Sequence, residues 1–192
     1  MSMQEIIKQN ILESIRAKEA VINQNLDELE KAAKIMITAL KNGKKLLICG
    51  NGGSAADAQH FAGELVMTYE KERPGLPAIA LTTNSSKITA WANDFGYETV
   101  FSRKVQALGN EGDVLVGITT SGNSANVLRA FEEAGRKGIK TICLNGKGGG
   151  KANGLNLDAN IVIPSARTSR IQESHITVIH AWCELIDRTL FP

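Results

Sequence analysis

The two ends of the chain carry apolar side chains at helical spacing. In residues 2–41 they recur every three or four positions, most clearly at Ile22, Leu26, Leu29, Ala33, Met36 and Leu40. From about Ser169 to Leu190 the packing positions are Ile171, Ile176, Ile179, Trp182, Cys183 and Ile186. A period near 3.6 residues places such positions on one face of a helix. We therefore predict long N-terminal and C-terminal helices. The first either packs on its own domain or joins helices of other subunits in a bundle.

Between these ends the apolar positions form short unbroken runs. They are KLLICG (45–50), AIALTT (78–83), DVLVGITT (113–120), TICLNG (141–146) and NIVIP (160–164). Most are separated by segments of helical character, over 54–67, 84–94, 98–108 and 123–137. Such runs are typical of strands buried on both faces, and strands that alternate with helices form a parallel sheet. The sequence therefore predicts an α/β fold with a doubly wound five-stranded sheet, in a single domain over residues 1–192.

Composition narrows the classes of function. A chain of 192 residues is long enough for one well-packed domain, which buries about 70% of its unfolded surface. Lys and Arg number 22 against 20 Asp and Glu, without a run of like charges, so we expect neither nucleic-acid nor membrane binding. Cys49, Cys143 and Cys183 lie in apolar runs and fit reduced packing residues. With no signal sequence or spanning segment, we expect a cytoplasmic protein.

Two similar turns follow strands of the predicted sheet. LLICGNGGSAADA and LVGITTSGNSANV each pass from an apolar strand through a small polar turn into a helix start. At the carboxyl end of an open parallel sheet, such turns face a common crevice where ligands bind. The second turn carries hydroxyls at Thr119, Thr120, Ser121 and Ser124. Because helix N-termini bind phosphate through free N–H groups, this turn predicts a site for a small sugar phosphate.

The first turn, GNGGSA (50–55), matches the dinucleotide-binding pattern G-x-G-x-x-A. That interpretation also requires an acidic residue after the second strand, where AIALTTNSS has none. No GK[ST] follows the glycines, which excludes a P-loop. A purely structural turn is the alternative, with Gly52 and Gly53 turning the strand into the helix and Ser54 as its cap.

A histidine and a glutamate follow this first turn. His60 and Glu64 are four residues apart, so their side chains lie on one face of the predicted helix. One interpretation is a hydrogen-bonded pair on the helix surface, and the other is a two-ligand arm for a divalent metal. Their position soon after a strand's carboxyl end brings the pair within reach of the crevice.

Several motifs resemble those of the sugar isomerase (SIS) family and, more narrowly, of the phosphoheptose isomerases. They are NGGSAADAQHFAGEL, RPGLPAIAL, ANDFGYE, FSRKVQALGNEGDVLVGITTSGNSANV and RIQESHITVIH, and they span nearly the whole chain. The resemblance implies a flavodoxin-like five-stranded sheet, a homotetramer and active sites shared between subunits. It also implies an aldose-ketose isomerase that converts sedoheptulose 7-phosphate to D-glycero-D-manno-heptose 7-phosphate through an enediol(ate). That reaction is the first step towards nucleotide-activated heptose for lipopolysaccharide or capsule.

The same resemblance implies roles for individual residues. It assigns one zinc ion per subunit to His60, Glu64, Gln172 and His180, with Glu64 and His180 also acting as the catalytic acid and base. The substrate-binding positions carried over are Asn51, Gly52, Gly53, Ser54, Glu64, Asn93, Asp94, Thr119, Thr120, Ser121, Ser124 and Gln172. Along a helix, Gln172 and His180 are separated by about 12 Å. Either the ion draws ligands from more than one chain, or these two side chains converge by full extension.

Some positions depart from the family pattern or have no role in it. Thr68 and Ser169 stand where some members have Arg and Asp, so we expect contacts to the sugar hydroxyls to differ. His175 has no family role and is expected to be a packed helix residue. The glycine-rich NGKGGGKANG (145–154) is expected to be a solvated loop, with a mobile loop over the site as the alternative.

A non-catalytic SIS protein is the alternative function. SIS domains also serve as binding modules, and LIDRTLFP and ETVFSRKVQALGNEGD resemble a relative that associates with the replication initiator. That relative lacks the acidic residue at the position of Glu64 and the histidine at the position of His180, and this chain has both. We therefore expect the isomerase.

Overall fold

The computed structural model describes residues 1–192 and has one five-stranded parallel sheet between two layers of helices. The strands are β1 (Leu46–Gly50), β2 (Ala78–Ala80), β3 (Val114–Ile118), β4 (Lys140–Asn145) and β5 (Ala159–Val162). The helices are α1 (Met3–Lys41), α2 (Gly53–Val66), α3 (Ser85–Phe95), α4 (Val100–Leu108), α5 (Ala125–Arg136) and α6 (Thr168–Leu190). Short 3-10 helices cover Tyr97–Thr99 and Gly150–Gly154. The predicted α/β class, the five strands and the long terminal helices are confirmed.

The sheet has the order β2-β1-β3-β4-β5, and every neighbouring pair is parallel. This is the flavodoxin-like order, in which the chain reverses its direction across the sheet between β1 and β3. The register pairs Gly50 with Ile118, so these two strands end level with each other. The turns that follow them therefore start side by side, at the point where open α/β sheets bind ligands.

Residues along each strand alternate between two cores. On one face, Ile48 belongs to a cluster with residues of α1, α2 and α6 that includes Phe61 and Trp182. On the other face, Leu47 packs with residues of α4 and α5 that include Phe131. Each large side chain buried in this way contributes roughly 1.5–3 kcal/mol relative to an exposed one. Because both faces are covered, the strands have the unbroken apolar runs seen in the sequence.

Helix α1 is one continuous helix of 39 residues. Ser2 and Glu5 form a capping box at its start, in which each side chain accepts the other residue's N–H. Its C-terminal half is buried against the domain, with Ala32, Ala33 and Met36 nearly inaccessible. The exposed apolar residues of this helix are Met3, Ile6, Ile7, Ile11, Leu12, Ile15, Ile22 and Leu26, which we call the α1 apolar strip.

Some predicted boundaries differ from the structure. The run AIALTT predicts a strand to residue 83, but β2 ends at Ala80 because the chain turns there and Thr83 N–H donates to the Ala80 carbonyl. Asn84 then adopts a left-handed φ of 65° and caps α3 through its side chain. The helical segment predicted over 98–108 is divided into a 3-10 turn and α4.

The three cysteines and the hydrophobicity of the helices agree with the expectations from composition. Cys49, Cys143 and Cys183 are buried and unpaired, as predicted. Burial raises the pKa of the Cys49 thiol to about 12 and that of the Cys183 thiol also to about 12, which keeps both thiols protonated. None of the helices combines the length and hydrophobicity that crossing a bilayer requires.

Candidate active site

Two hydrogen-bonded asparagines join the turns that follow β1 and β3. Asn51 Nδ2 donates to Asn126 Oδ1, and Asn126 Nδ2 donates back to Asn51 Oδ1, both at 2.9 Å. The Tyr97 hydroxyl donates to the same Asn51 oxygen at 3.0 Å. The two turns are therefore adjacent, as predicted, and these bonds fix the distance between them. The Asn51 side chain is occupied by these bonds, which leaves the backbone of its turn to face a ligand.

The first turn needs glycine at several positions. Gly52 has a φ of 57° and ψ of −121°, a conformation that L side chains rarely adopt, and it is the N-cap of α2. A Cβ at Gly50 would lie 2.5 Å from the Ser54 carbonyl oxygen. Ser54 is buried in the first turn of the helix, so the proposed capping role of this serine is wrong, because Gly52 occupies that position without a side-chain bond. The Ser54 N–H donates to the Asn51 carbonyl and the Ala55 N–H donates to the Gly52 carbonyl, both at 3.0 Å, so the turn itself satisfies these two N–H groups at the start of α2.

The second turn presents hydroxyls at the start of α5. Thr119 is buried, and its Oγ1 lies 3.1 Å from Ser124 Oγ, while Ser124 is the N-cap of α5. Ser121 Oγ accepts the N–H of Asn123 at 3.2 Å. Thr120 and Ser121 are half-buried and stand between these groups. The structure thus brings the four predicted hydroxyl residues to one helix N-terminus, where the macrodipole favours an anion.

The glycine-rich segment 145–154 packs against this second turn. Ala152 is fully buried and its N–H donates to the Gly122 carbonyl at 3.0 Å. A Cβ at Gly122, where φ is 66°, would collide with the Gly149 carbonyl oxygen. Asn145 Nδ2 donates to that same carbonyl at 2.9 Å. The expectation of a solvated loop holds for the exposed residues Lys147, Gly148, Gly150, Lys151, Asn153 and Gly154, whereas the buried residues of the segment pack against the hydroxyl turn.

A histidine from α6 meets the histidine and glutamate of α2. His60 Nε2 lies 2.9 Å from Glu64 Oε1 and 3.2 Å from His180 Nε2. The ligand atoms of these three residues all lie within 4.8 Å of one another. The His60 side chain is 45% exposed and that of Glu64 is 24% exposed, so solvent reaches the cluster. We call these three residues the His-Glu-His cluster.

The cluster fits a divalent metal ion. Two imidazole nitrogens bound tetrahedrally to one zinc ion lie about 3.3 Å apart, given Zn–N bonds of about 2.0–2.1 Å. The two Nε2 atoms are 3.2 Å apart, and a carboxylate oxygen lies beside one of them. Two histidines and one carboxylate are also the ligand set of several catalytic zinc sites, which keep one position open for water or substrate. The three candidate ligands belong to a single chain.

Gln172 lies near the start of α2. A Cβ placed on Gly53 would collide with the Gln172 amide, so this side chain covers the first residue of that helix. Gln172 thus faces Gly53 while His180 faces His60, which shows that α2 and α6 run in the same direction. The Gln172 amide is therefore placed beside the glycine turn, about two helical turns before His60. Its role as a fourth metal ligand stays a prediction.

The predicted sugar-contacting pair on α3 is exposed. Asn93 and Asp94 lie near the C-terminal end of that helix, and Asn93 Nδ2 donates to Asp94 Oδ1 at 2.8 Å. Neither is hydrogen-bonded to the glycine turn in this chain. Tyr97, two residues after the end of α3, makes that contact instead. The role of Asn93 and Asp94 in binding sugar stays a prediction.

Asp57 lies beside His60 of the cluster, and it was not identified as a site residue from the sequence. It lies one turn before His60 on α2, is half-buried, and its Oδ2 has no hydrogen-bond partner. Burial raises the pKa of its carboxyl group to about 6, although nearby His60 opposes the shift. The spacing D-x-x-H was the available signal, because it puts both side chains on one helix face.

His175 is a buried histidine outside the cluster. It is fully buried on α6, and its Nε2 lies 3.0 Å from the Asn145 carbonyl oxygen. The expectation of a packed helix residue is confirmed. Burial lowers the pKa of this imidazole to about 4, with the Asn145 hydrogen bond acting in the opposite direction.

His175 makes stability depend on pH in a predictable direction. The unfolded chain takes up this proton below about pH 6.5, whereas the folded chain takes it up only near pH 4, so stability falls as pH decreases through that range. The loss is about 2–3 kcal/mol between pH 7 and pH 4.5. We expect His175→Gln, whose amide still reaches the Asn145 carbonyl, to lose less stability than the wild type over this interval in urea unfolding. Equal losses in the two proteins would contradict this assignment.

Comparison with known proteins places the chain in a family. The sequence profile of the SIS domain matches residues 11–146. The phosphoheptose isomerase of Aliarcobacter butzleri is 56% identical over 88% of this chain and 89% of its own length, and that of Halorhodospira halophila is 50% identical over 100% and 98%. The solved structure of a phosphoheptose isomerase from Neisseria gonorrhoeae superimposes with a TM-score of 0.92, covering 97% of this chain and 100% of that one at 46% identity. This chain therefore belongs to the SIS domain family and, within it, to the phosphoheptose isomerases.

Proposed function

We propose that this protein is a sedoheptulose 7-phosphate isomerase that produces D-glycero-D-manno-heptose 7-phosphate. The observation that carries the proposal is the His-Glu-His cluster, which lies on the two helices that border the glycine turn. The proposed phosphate site and the proposed site for proton transfer thus lie on neighbouring elements of the fold. The full-length similarity to proteins named phosphoheptose isomerase supports the same conclusion.

The reaction moves a proton between adjacent carbons. A base removes the proton from C1 of the ketose, the electrons form the C1–C2 double bond of an enediolate, and a proton returns to C2. The C1 hydroxyl loses its proton as C1 becomes the aldehyde, and the C2 oxygen gains one. Glu64 and His180 are the proposed acid and base, because both are ionisable groups that reach the cluster from different helices.

Zinc is the proposed cofactor, one ion per subunit. His60, Glu64 and His180 supply the ligands for which the geometry fits, and Gln172 is the proposed fourth. When bound, the ion would polarise the substrate carbonyl and stabilise negative charge on the enediolate oxygens.

The two turns are proposed to hold the substrate at opposite ends. The phosphate binds at Thr119, Thr120, Ser121 and Ser124, with N–H groups at the start of α5 as further donors. The sugar lies over the backbone of Asn51, Gly52 and Gly53, with Ser54 buried beneath them. Asn93 and Asp94 lie on the exposed side of α3. We propose that they contact sugar in a site that a second subunit completes.

A homotetramer is proposed because the monomer leaves a large apolar surface on α1. The α1 apolar strip continues into a groove between α1 and α6 that is lined by Val21, Ile22, Leu26 and Trp182. Contiguous apolar surface of this kind marks an interaction site. Long helices with such strips associate into bundles. We further propose a cytoplasmic location, which suits a protein whose three cysteines are buried thiols.

Disruption of the strip is expected to dissociate the assembly. The wild type should elute as a species of four chains of 20.7 kDa each. Ile11→Lys combined with Ile15→Lys places two charges on the strip, and we expect a smaller species by light scattering after size-exclusion chromatography. Gln9→Lys, which places the same charge at an exposed position outside the strip on the same helix, is the control and should keep the wild-type mass. An unchanged mass for the double variant would rule out this interface.

The replication-initiator interpretation is not favoured. The relatives that match over nearly their whole length are named isomerases, and Glu64 and His180 of this chain meet at one cluster. Incubation of the purified protein with sedoheptulose 7-phosphate in D₂O tests the proposed function. We expect the aldose with deuterium at C2 by NMR, as exchange from an enediol requires. No conversion, together with capture of the replication initiator, would reverse the assignment.

A further inference from the structure

Arg73 is a buried cation between the two helices that carry the cluster. It lies in the segment between α2 and β2, and its side chain is 1% exposed. Its Nε donates to Asp187 Oδ1 at 2.7 Å, and the Phe191 ring stacks near the guanidinium with its centroid 5.8 Å away. An ion pair removed from water in this way is geometrically specific, and its loss leaves an uncompensated buried charge.

The remaining donors of Arg73 hold the end of α2. Nη2 donates to the Glu64 carbonyl at 2.8 Å, and Nη1 donates to the Leu65 carbonyl at 2.8 Å. Carbonyls in the last turn of a helix have no intrahelical partner, and a cation there also complements the helix dipole. Arg73 therefore fixes the backbone of the residue whose carboxylate belongs to the cluster.

Asp187 connects the same arginine to α6. It follows His180 by seven residues, two helical turns, so both side chains project from one face of that helix. The Asp187 side chain is 5% exposed; its Oδ1 accepts from Arg73, and its Oδ2 has no hydrogen-bond partner. Arg73 is thus its ion-pair partner, and the pair joins the face of α6 that bears His180 to the end of α2 that bears Glu64.

We propose that Arg73 and Asp187 are positioning residues that set the distance between Glu64 and His180. The cluster joins two helices that are far apart in the sequence, so non-covalent contacts must fix the distance between them. The spacing of the ligand atoms must hold to about 0.5 Å to bind a metal or to catalyse. Neither residue touches the substrate. Only the expected change in turnover rests on the proposed function. Zinc affinity reports on the distance between Glu64 and His180 whether or not the protein is an isomerase.

Two substitutions test the pair, and one control separates positioning from stability. Arg73→Lys keeps the charge but cannot bond Asp187 and both carbonyls at once, and Asp187→Asn keeps the shape but removes the charge. Asp113→Asn is the control, because Asp113 is also buried and paired, with Lys45 at 2.6 Å, but its hydrogen bonds go to Lys45 and Asn110 and to no residue of α2 or α6. All are compared at a temperature where circular dichroism shows each to be folded.

The readouts are zinc affinity of metal-free protein by calorimetry, the absorption bands of bound Co²⁺, and steady-state kinetics. We expect Arg73→Lys and Asp187→Asn to weaken zinc binding by about 10–100-fold, the range seen when residues that orient metal ligands are lost. The Co²⁺ bands should shift, and kcat should fall with KM little changed. Asp113→Asn should lower the melting temperature without these effects.

Two results would overturn the positioning role. The first is a zinc affinity within twofold of the wild-type value in both Arg73→Lys and Asp187→Asn. If Arg73→Lys does not fold, the same result in Asp187→Asn alone is enough. The other is equal weakening in Asp113→Asn, which would indicate a general effect of lost stability. A wild-type protein that binds zinc but does not turn over sedoheptulose 7-phosphate would contradict the proposed function while leaving the affinity test intact.

Discussion

Glu64→Gln is expected to abolish isomerisation while the protein still binds its substrate. The amide has nearly the shape of the carboxylate, and the Glu64 backbone keeps its bond to Arg73, so the fold of α2 should be retained. An amide cannot accept the C1 proton, and general acid-base groups contribute roughly 10²–10⁴-fold to rate. We expect kcat to fall by about 10³-fold or more, with substrate affinity by calorimetry within a few fold of the wild type.

Glu72→Gln provides the matched control for this variant. Glu72 is exposed in the segment after α2, and its substitution should leave both kinetic constants unchanged. Retention by Glu64→Gln of more than a tenth of the wild-type kcat would remove Glu64 from the chemistry. A large loss of affinity without loss of kcat would instead assign this residue to substrate binding alone.

His180→Ala is expected to remove both metal binding and turnover. His180 Nε2 is 3.2 Å from His60 Nε2, and no other side chain of α6 reaches the cluster with an imidazole. Loss of one of the proposed ligands should weaken zinc binding by more than about 100-fold, since even the residues that orient metal ligands contribute 10–100-fold. We expect kcat to fall by about 10³-fold, measured at saturating zinc to separate chemistry from occupancy.

His175→Gln controls for the loss of a histidine from the same helix. His175 lies five residues earlier and is turned into the core towards Asn145, so this variant should keep wild-type zinc affinity and turnover. Wild-type zinc affinity in His180→Ala would show that the cluster is a hydrogen-bonded polar group rather than a metal site.

The fold was largely predictable because its signals are local. Unbroken apolar runs predict strands covered on both faces, and that expectation holds for β1, β3 and β4. The end of β2 was not predictable, because apolar residues continue to Leu81 although the ladder stops at Ala80. Leu81 N–H still donates to the Ile48 carbonyl at 2.8 Å, and its side chain is buried in the cluster that contains residues of α4, but the chain turns directly after it.

The site divides in the same way between local and distant contacts. His60 and Glu64 could be paired from the sequence, since four residues on a helix bring side chains together. His180 is 120 residues from His60, and only a family resemblance linked them before α2 and α6 were seen to pack together. The Asn51–Asn126 pair and the Arg73–Asp187 pair had no sequence signal, because each joins elements that meet only in the folded domain.

The most direct test of the central claim is one assay of sedoheptulose 7-phosphate isomerisation on metal-depleted protein, before and after zinc is added. We expect turnover to be lost on chelation and restored by about one equivalent of zinc per chain in the wild type, and not restored in His180→Ala. Full turnover by protein shown to contain no metal would contradict the claim that the His-Glu-His cluster acts as a zinc centre. Absence of turnover at every zinc concentration would contradict the isomerase itself.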